Sequence, residues 1–376
     1  MSSNRLTDAA RKLRPPSELP PLPVIDWAAI GASAPEVVDL GSPSKDTPLP
    51  DADVVVMTWT NAEWAAFDHV FVNSGTEARS WDEAFQKHWH WRAKPGESDD
   101  GFHLWGYYRM VRITDAGGTT RKVLLFKANA HLAYAPYAEG LMQMVELLCA
   151  ETGCARLMSI GTAGGATLED KLGDSVLTNS GTVKVEKPQN TALGIDGKTV
   201  TCDTWDPATA LFGEIEKKLL FRLSDVVTRD WLDYLLTSAI NDPEHGDPSW
   251  RGKYTVDDMM NAAMEGLDHP RGLNKRGVPL LSTDYYFIAS HGDSDQYSTL
   301  EMDDAVVGLQ AQKMGVEFAF LRNISDPVVP DNTCAGDPIP SGLRENWSSQ
   351  IYSHYGFYSS MNGALLAWAT LAADAA

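Results

Sequence analysis

Short apolar runs alternate with amphipathic segments over most of the 376-residue chain. The first clear run is 54–57 (Val-Val-Val-Met), and the segment after it carries Trp64, Phe67 and Phe71 at helical spacing. Thr60 lies between the two and is a good helix N-cap, because its hydroxyl can accept a free backbone N–H of the first turn. The pattern therefore predicts a core strand that leads directly into a helix.

The same alternation continues toward the C-terminus. Further predicted strands cover 122–126, 156–160, 175–178, 278–282 and 318–323. Further predicted helices cover 136–152, 208–221, 228–240, 256–267, 303–314 and 359–373. Strands that alternate with helices favour a largely parallel or mixed sheet with helices on both faces. We therefore expect the α/β class, as a three-layer αβα sandwich with a central twisted mixed sheet.

Two regions break this alternation. Residues 1–50 are rich in Pro, Ser and Asp, and the pairs Pro15-Pro16 and Pro20-Pro21 block regular structure, which predicts an extended N-terminal arm. Residues 186–275 carry helical patterns separated by Asp-, Pro- and Gly-rich loops. We expect one main domain over 51–376, with 186–275 as a largely helical insertion.

Composition disfavours several classes of partner. The net charge is −20 and no Lys/Arg-rich stripe is present, so we expect no binding to a nucleic-acid polymer. The N-terminus lacks an apolar signal segment and the chain has no run of ~18 apolar residues, so we expect a cytoplasmic protein without a membrane partner. His88 and His90 lack a third ligand at suitable spacing, and no dinucleotide or P-loop fingerprint occurs. Neither a metal nor a cofactor is therefore expected.

Four separated segments carry the candidate chemistry, and each is a modest signal alone. They are 57–67, 159–174, 281–287 and 301–326. The most distinctive joins Ile160-Gly161-Thr162-Ala163-Gly164-Gly165 to Leu172-Gly173-Asp174, which predicts a strand, a glycine turn and a return strand. Glycines let a ligand approach backbone N–H groups closely. A tight turn without a ligand is the alternative.

In this order the four segments resemble the nucleoside phosphorylase and nucleosidase superfamily. That superfamily includes purine nucleoside phosphorylases, uridine phosphorylases, methylthioadenosine/S-adenosylhomocysteine nucleosidases and AMP nucleosidases. The resemblance covers about half of the chain and leaves out the arm and the 186–275 insertion. It implies a phosphorylase-like catalytic domain over 51–376, cleavage of an N-glycosidic bond, a small nucleoside or nucleotide as partner, and a homo-oligomer.

The resemblance assigns the glycine segment to substrate binding through Gly161, Thr162, Ala163 and Gly164. Phosphorylases of this superfamily usually carry an arginine two residues before the first glycine, where it binds inorganic phosphate. Here Ser159 occupies that position, and the odd offset of Arg156 points it to the other face of the strand. This difference favours water over phosphate as the nucleophile.

Two acidic residues are implied as catalytic. Glu63 follows the first core strand, where nucleosidases carry an acidic residue that holds the attacking water, and a carboxylate can accept a proton from that water. The alternative for Glu63 is a helix-capping or solvated glutamate. Asp326 ends the segment 323–326, which resembles the I-S-D signature whose aspartate protonates the leaving base, with Ser325 beside it. The alternative for Asp326 is capping of the turn before Pro327.

The base and the sugar have separate candidates. The segment 282–287 resembles the one that presents an aromatic ring to the base, which assigns Tyr286 to stacking, with Tyr285 and Phe287 as neighbours. Stacking of a base on such a ring is worth ~1–3 kcal/mol. A core aromatic cluster is the alternative.

The segment Glu301-Met302-Asp303 resembles the family's E-M-E segment. Its second acidic residue binds ribose hydroxyls, and its methionine packs beneath the sugar. Asp303 replaces that glutamate. Three alternatives stay open: Asp303 still reaches the sugar, Glu301 or Asp304 takes over the contact, or the sugar differs.

The leading hypothesis is hydrolysis of the N-glycosidic bond of a nucleoside or nucleotide, with a purine as the expected base. Phosphorolysis is the alternative among enzymes, with inorganic phosphate as co-substrate and Arg322 or Arg344 as anion contacts. A nucleoside-binding module without turnover is a further alternative, and the differences at Ser159 and Asp303 favour it.

Overall fold

In the computed structural model, thirteen strands of the described chain form one hydrogen-bonded sheet. The structure describes residues 18–79, 83–95, 104–115, 117–259, 267–288, 292 and 294–373. The strands are β1 (Glu36–Val37), β2 (Val54–Thr58), β3 (His90–Ala93), β4 (Leu104–Thr114), β5 (Thr120–Ala128), β6 (Arg156–Gly164), β7 (Ser175–Thr178), β8 (Ser180–Lys184), β9 (Thr199–Thr201), β10 (Gly272–Asn274), β11 (Leu280–Thr283), β12 (Leu300–Glu301) and β13 (Glu317–Asp326).

The centre of the sheet is β6, which lies between β2 and β13 and is parallel to both. Beyond β2, the next strand β5 is parallel and β4 is antiparallel. On the other side, β13 pairs antiparallel with β7, and the end of β6 meets β12, which is followed by β11, β8 and β9. The sheet is mixed, as predicted.

Helices cover both faces of this sheet. They are α1 (Asn61–Phe71), α2 (Tyr137–Thr152), α3 (Pro188–Thr191), α4 (Phe212–Lys218), α5 (Arg229–Ile240), α6 (Val256–Met259), α7 (Asp304–Met314) and α8 (Ser341–Ala373). Alternate residues of β13 face different helices, because Phe320 packs on Gly308 of α7 whereas Asn323 packs on Gly363 of α8. In turn, α7 packs on α2 and α8 packs on α1. The predicted three-layer αβα sandwich is confirmed.

The predicted start of the last helix is wrong. The helix begins at Ser341 rather than at 359, because Leu343, Trp347 and Ile351 recur at intervals of four residues and are all buried. Polar residues between these positions hide the pattern in the sequence. Among the described helices, none combines the length and the apolar character needed to cross a membrane.

The glycine segment is also not the predicted turn. Residues 161–164 belong to β6 and pair with β13. A Cβ atom on Gly161 would lie 2.6 Å from Nη1 of Arg322 and 3.0 Å from Oε1 of Glu63. Glycine is required at this position because two side chains approach the backbone closely, and the chain there is extended.

The arm and the insertion stay predictions. Residues 1–17 of the arm and 260–266 of the insertion lie outside the described residues. In the rest of the arm, Leu22 forms a β-bridge with Ala78, and β1 pairs with β4. In the region of the insertion, β9 joins the sheet through β8 and α5 packs against α8.

Candidate active site

A cavity of about 400 Å³ opens at the carboxyl ends of the parallel strands β2, β5, β6 and β13. Ligands of α/β proteins commonly bind at this edge, and sites for small molecules usually span ~300–1,000 Å³. The predicted site residues that line it are Glu63, Thr162, Ala163, Gly164, Tyr286, Phe287, Glu301, Met302, Asp303, Ser325 and Asp326. Gly161 instead lies behind the cavity wall, against Arg322 and Glu63.

Asp326, at the end of β13, is held by hydroxyl groups. Ser325 Oγ donates to Oδ1 at 2.6 Å, and Ser348 Oγ of α8 donates to Oδ2 at 2.9 Å. Tyr286 donates from its hydroxyl to Ser348 Oγ at 2.9 Å. Burial raises the pKa of Asp326 from 3.8 to about 6. A carboxyl group with this pKa is partly protonated near neutral pH and can deliver a proton.

Glu63 lines the cavity, and its carboxylate also caps α1, which was the alternative role given to it. Its Oε2 accepts the backbone N–H groups of Trp59 at 2.9 Å and Thr60 at 2.8 Å, and Thr58 Oγ1 at 3.2 Å. Its Oε1 accepts the backbone N–H of Thr162 at 2.8 Å and the hydroxyl of Thr162 at 2.6 Å. A carboxylate offers about four lone-pair directions. Glu63 is therefore saturated by the protein, and its predicted contact with water requires one of these bonds to open.

A buried ion cluster underlies the acidic segment. Arg322 is 3% exposed, its Nε donates to Oδ2 of Asp304 at 2.6 Å, and its Nη2 lies 3.1 Å from Oε2 of Glu301. Glu301 also accepts the backbone N–H groups of Asp303 and Asp304 at the start of α7. Asp304 is fully buried against Arg322 and does not line the cavity. Of the three sugar-binding candidates, Asp303 and Glu301 therefore face the cavity.

Two groups of the loop that follows β5 lie against the carboxyl group of Asp303. The backbone N–H of Leu132 donates to its Oδ1 at 2.8 Å, and Nε2 of His131 lies 3.4 Å from its Oδ2. The backbone N–H of Ala133 donates to Nδ1 of His131 at 3.0 Å, which places the proton of the neutral ring on Nε2, toward Asp303. Burial lowers the pKa of His131 to about 4 and raises the pKa of Asp303 to about 8.

Ser159 occupies the position at which a phosphate-binding arginine is expected, and its side chain contacts Trp59 instead of the cavity. Ser159 is fully buried, and Nε1 of Trp59 donates to its Oγ at 3.0 Å. The guanidinium of Arg322 lies 6.0 Å from the centroid of the Trp59 ring. Arg344, the other sequence candidate for an anion contact, pairs with Asp331 at 2.6 Å and is not among the residues that line the cavity.

No protein-family model matches the chain, and no curated protein matches it. Among solved structures, the chain is similar to the 5'-methylthioadenosine/S-adenosylhomocysteine nucleosidase of Helicobacter pylori with butyl-thio-DADMe-Immucillin-A, at 10% identity over 85% of this chain and 98% of that chain, with a TM-score of 0.43. It is similar to the futalosine hydrolase of Helicobacter pylori strain 26695 at 11% identity over 85% of this chain and 96% of that chain, with a TM-score of 0.44. The nucleosidase of Neisseria meningitidis with methylthio-immucillin-A gives 12% identity, 85% and 98% coverage and a TM-score of 0.42.

Several lining residues were not predicted as site residues: Trp59, Thr60, His131, Tyr134, Thr283, Leu300 and Tyr352. A usable signal existed for some of them, because Trp59, Thr60 and His131 follow predicted core strands whose carboxyl ends meet at one edge. Tyr352 and Ser348 gave no such signal. They lie four residues apart on one face of α8, before the start of that helix predicted at 359.

Proposed function

We propose that the cavity binds a nucleoside and that the protein hydrolyses the bond between its base and its sugar. The observation that carries this proposal is the position of Asp326, whose pKa burial raises to about 6, in one cavity with the acidic Glu301 and Asp303 and the aromatic Tyr286. Cleavage of a glycosidic bond needs an acid beside the leaving group and negative charge near the sugar. Two of the four segments, 281–287 and 301–326, supply these residues.

The proposed reaction gives each group one role. Asp326 transfers its proton to the base as the bond between base and sugar breaks, and the electron pair of that bond stays on the base. The sugar gains positive charge, and this charge favours the ionised forms of Glu301 and Asp303, against the burial that raises the pKa of each to about 8. Water then adds to the anomeric carbon and releases a proton to solvent. Glu63 and Thr162 are the proposed water-holding groups, provided that Oε1 of Glu63 exchanges a protein donor for water.

Water is the proposed nucleophile because the position of the expected phosphate-binding arginine, Ser159, offers no group to a phosphate. The hydroxyl of Ser159 is engaged by Trp59, and its side chain has no access to the cavity. Asp304 accepts from Nε and Nη2 of Arg322, and the carbonyl of Thr162 accepts from Nη1, so phosphate would have to compete with these partners.

The charges around the cavity favour a nucleoside over a nucleotide. Of the described residues that line it, Glu63, Glu301, Asp303 and Asp326 carry carboxyl groups, and Arg322 is bound by Asp304. Such a set of acidic groups disfavours a phosphate dianion. A purine is the proposed base, because the larger ring system offers more area for stacking on Tyr286.

Base release is expected not to require phosphate. In phosphate-free buffer, a panel of purine and pyrimidine nucleosides should yield free base and free sugar, separated by liquid chromatography. Added inorganic phosphate should leave the rate unchanged. A sugar 1-phosphate, formed only when phosphate is present, would establish phosphorolysis instead. Saturable binding without any base release would establish a nucleoside-binding module.

The rate is expected to fall as the pH rises through the pKa of Asp326. Since the protonated form is the acid and burial places that pKa at about 6, kcat/KM should be level below this pH and lower above it. The decline should approach about tenfold per pH unit. The measurement is a pH profile in constant ionic strength. A rate that rises across the same range would assign Asp326 the role of a base.

A further inference from the structure

A chain of hydrogen bonds joins α8 to the proposed acid. Tyr286 donates from its hydroxyl to Ser348 Oγ at 2.9 Å, and Ser348 Oγ donates to Oδ2 of Asp326 at 2.9 Å. The phenol oxygen also lies 3.4 Å from the same Oδ2. Ser348 is 1% exposed, so its hydroxyl is shielded from bulk water, whereas Tyr286 is 48% exposed. Two hydroxyl groups therefore hold one side of the carboxyl group, and Ser325 holds the other.

We propose that Ser348 and Tyr286 are positioning residues for the acid, which hold Oδ2 of Asp326 and stabilise the carboxylate left when its proton passes to the leaving base. The proposal rests on the proposed glycosidic cleavage. In that step the bond from the anomeric carbon to the base nitrogen breaks, its electron pair stays on the nitrogen, and the nitrogen takes the proton of Asp326. Water supplies the new sugar hydroxyl, and solvent restores the proton of Asp326.

The direction of the hydrogen bonds supports this role. A hydroxyl that donates to a carboxylate forms a charge-assisted bond, which is about twice as strong as a neutral one. Donors on Oδ1 and Oδ2 therefore stabilise Asp326 more after proton transfer than before it. The bond from Ser348 lowers the pKa of Asp326 against the larger effect of burial. The bond from Tyr286 to Ser348 polarises the serine hydroxyl and strengthens the second bond.

Tyr286 has a hydroxyl that stacking alone does not need. A phenylalanine ring would present the same face to a base. Burial raises the pKa of Tyr286 well above its ordinary value, so the phenol stays a neutral donor. The other titratable groups that act on this cluster are Glu345, which faces Tyr286, and Tyr352, which faces Asp326, and both come from α8. They are unchanged in the variants below.

The test compares single hydroxyl deletions in the full chain. Ser348→Ala and Tyr286→Phe remove one donor each, Ser348→Thr keeps a hydroxyl, and Tyr285→Phe removes a neighbouring phenol that does not line the cavity. Ser348→Ala should lower the plateau of kcat roughly tenfold, as part of the ~10²–10⁴-fold supplied by a general acid. It should also move the alkaline decline to higher pH, because Asp326 becomes a weaker acid. Tyr286→Phe should shift both in the same direction by less, with KM near that of the parent.

Ser348→Thr should restore most of the rate, and Tyr285→Phe should match the parent. If kcat below pH 6 falls but the pH at which kcat begins to decline stays the same, the substitution has a structural effect only, and the proposal is overturned. Parent rates in both deletions would overturn it as well. A second readout is the titration of the Asp326 carboxyl by isotope-edited infrared spectroscopy, in which Ser348→Ala should raise its pKa. If the parent protein releases no base from any nucleoside, the proposed function is wrong. If Ser348→Ala leaves the pKa of the Asp326 carboxyl unchanged, the proposed role of the hydroxyls is wrong, whatever the activity.

Discussion

Asp326→Asn is expected to cut kcat by ~10²–10⁴-fold, because the amide keeps the size and hydrogen bonding of the side chain but cannot deliver a proton. Substrate affinity should change little. Nucleosides with better leaving bases should lose less rate, since their departure needs less protonation. The measurement is steady-state kinetics on a series of nucleosides that differ in the basicity of the leaving base.

The matched control for this variant is Asp337→Asn, an exposed carboxyl on the segment that follows β13, which should keep the parent rate. Stability separates an acid from a structural aspartate. Burial raises the pKa of Asp326 from 3.8 to about 6, so the ionised form is disfavoured in the folded chain. The protonated carboxyl of Asp326 contributes its full stabilisation of the folded chain below the unfolded pKa. This stabilisation is lost as the pH rises through about 6.

It follows that Asp326→Asn should be more stable than the parent at about pH 8, by up to about 3 kcal/mol, because one pKa unit corresponds to about 1.4 kcal/mol. The difference should vanish at about pH 3, below the unfolded pKa, where both chains carry a neutral side chain in the folded and the unfolded state. Urea unfolding at the two pH values measures it. A variant that is less stable at both values and equally impaired with every nucleoside would mark Asp326 as structural.

Much of the fold can be predicted from the local pattern of apolar residues in the sequence. The parts that cannot be predicted, such as the first half of α8 and Gly161, depend on tertiary contacts. The strand at 175–178 was predicted with its observed bounds, and the helix at 137–152 within one residue, because apolar periodicity and flanking turns agree there. The first half of α8 has no clear apolar pattern in the sequence, because polar residues intervene between its buried positions. The sequence around Gly161 predicts a turn because glycine permits many backbone conformations, whereas the feature that requires glycine is the close approach of Arg322 from a neighbouring strand. That contact is not visible in sequence.

The candidate site shows the same division. Motif residues such as Asp326 and Tyr286 could be predicted to share a cavity, because each follows a core strand or opens a helix. Their partners could not. Ser348 is more than 20 residues beyond Asp326 in the chain, and only the helix face that α8 presents brings the two together. Asp303 likewise depends on His131, which is 172 positions earlier in the sequence. Tertiary contacts decide which polar groups surround a motif residue.

The loss of Arg322 is expected to have the largest effect on stability. Arg322→Met would leave Asp304 as an unpaired carboxyl group in a fully buried position, and Glu301 would lose its neighbouring positive charge. Breaking a buried pair by removing one partner typically costs ~3–5 kcal/mol, because the remaining charge is uncompensated. The free energy of unfolding, measured by urea titration at neutral pH, should fall by about that amount.

Two further variants test whether the loss of stability comes from the buried charge of Asp304. Arg112→Met removes an exposed pair with Glu36, whose side chains are 43% and 71% exposed, and should cost about 1 kcal/mol or less. The double variant Arg322→Met/Asp304→Asn also removes the buried negative charge, so it should be more stable than Arg322→Met alone. If the double variant is less stable than the single one, the carboxyl of Asp304 contributes through its hydrogen bonds and shape rather than its charge. In that case the charge pairing of Arg322 with Asp304 is not what stabilises the cluster under the cavity.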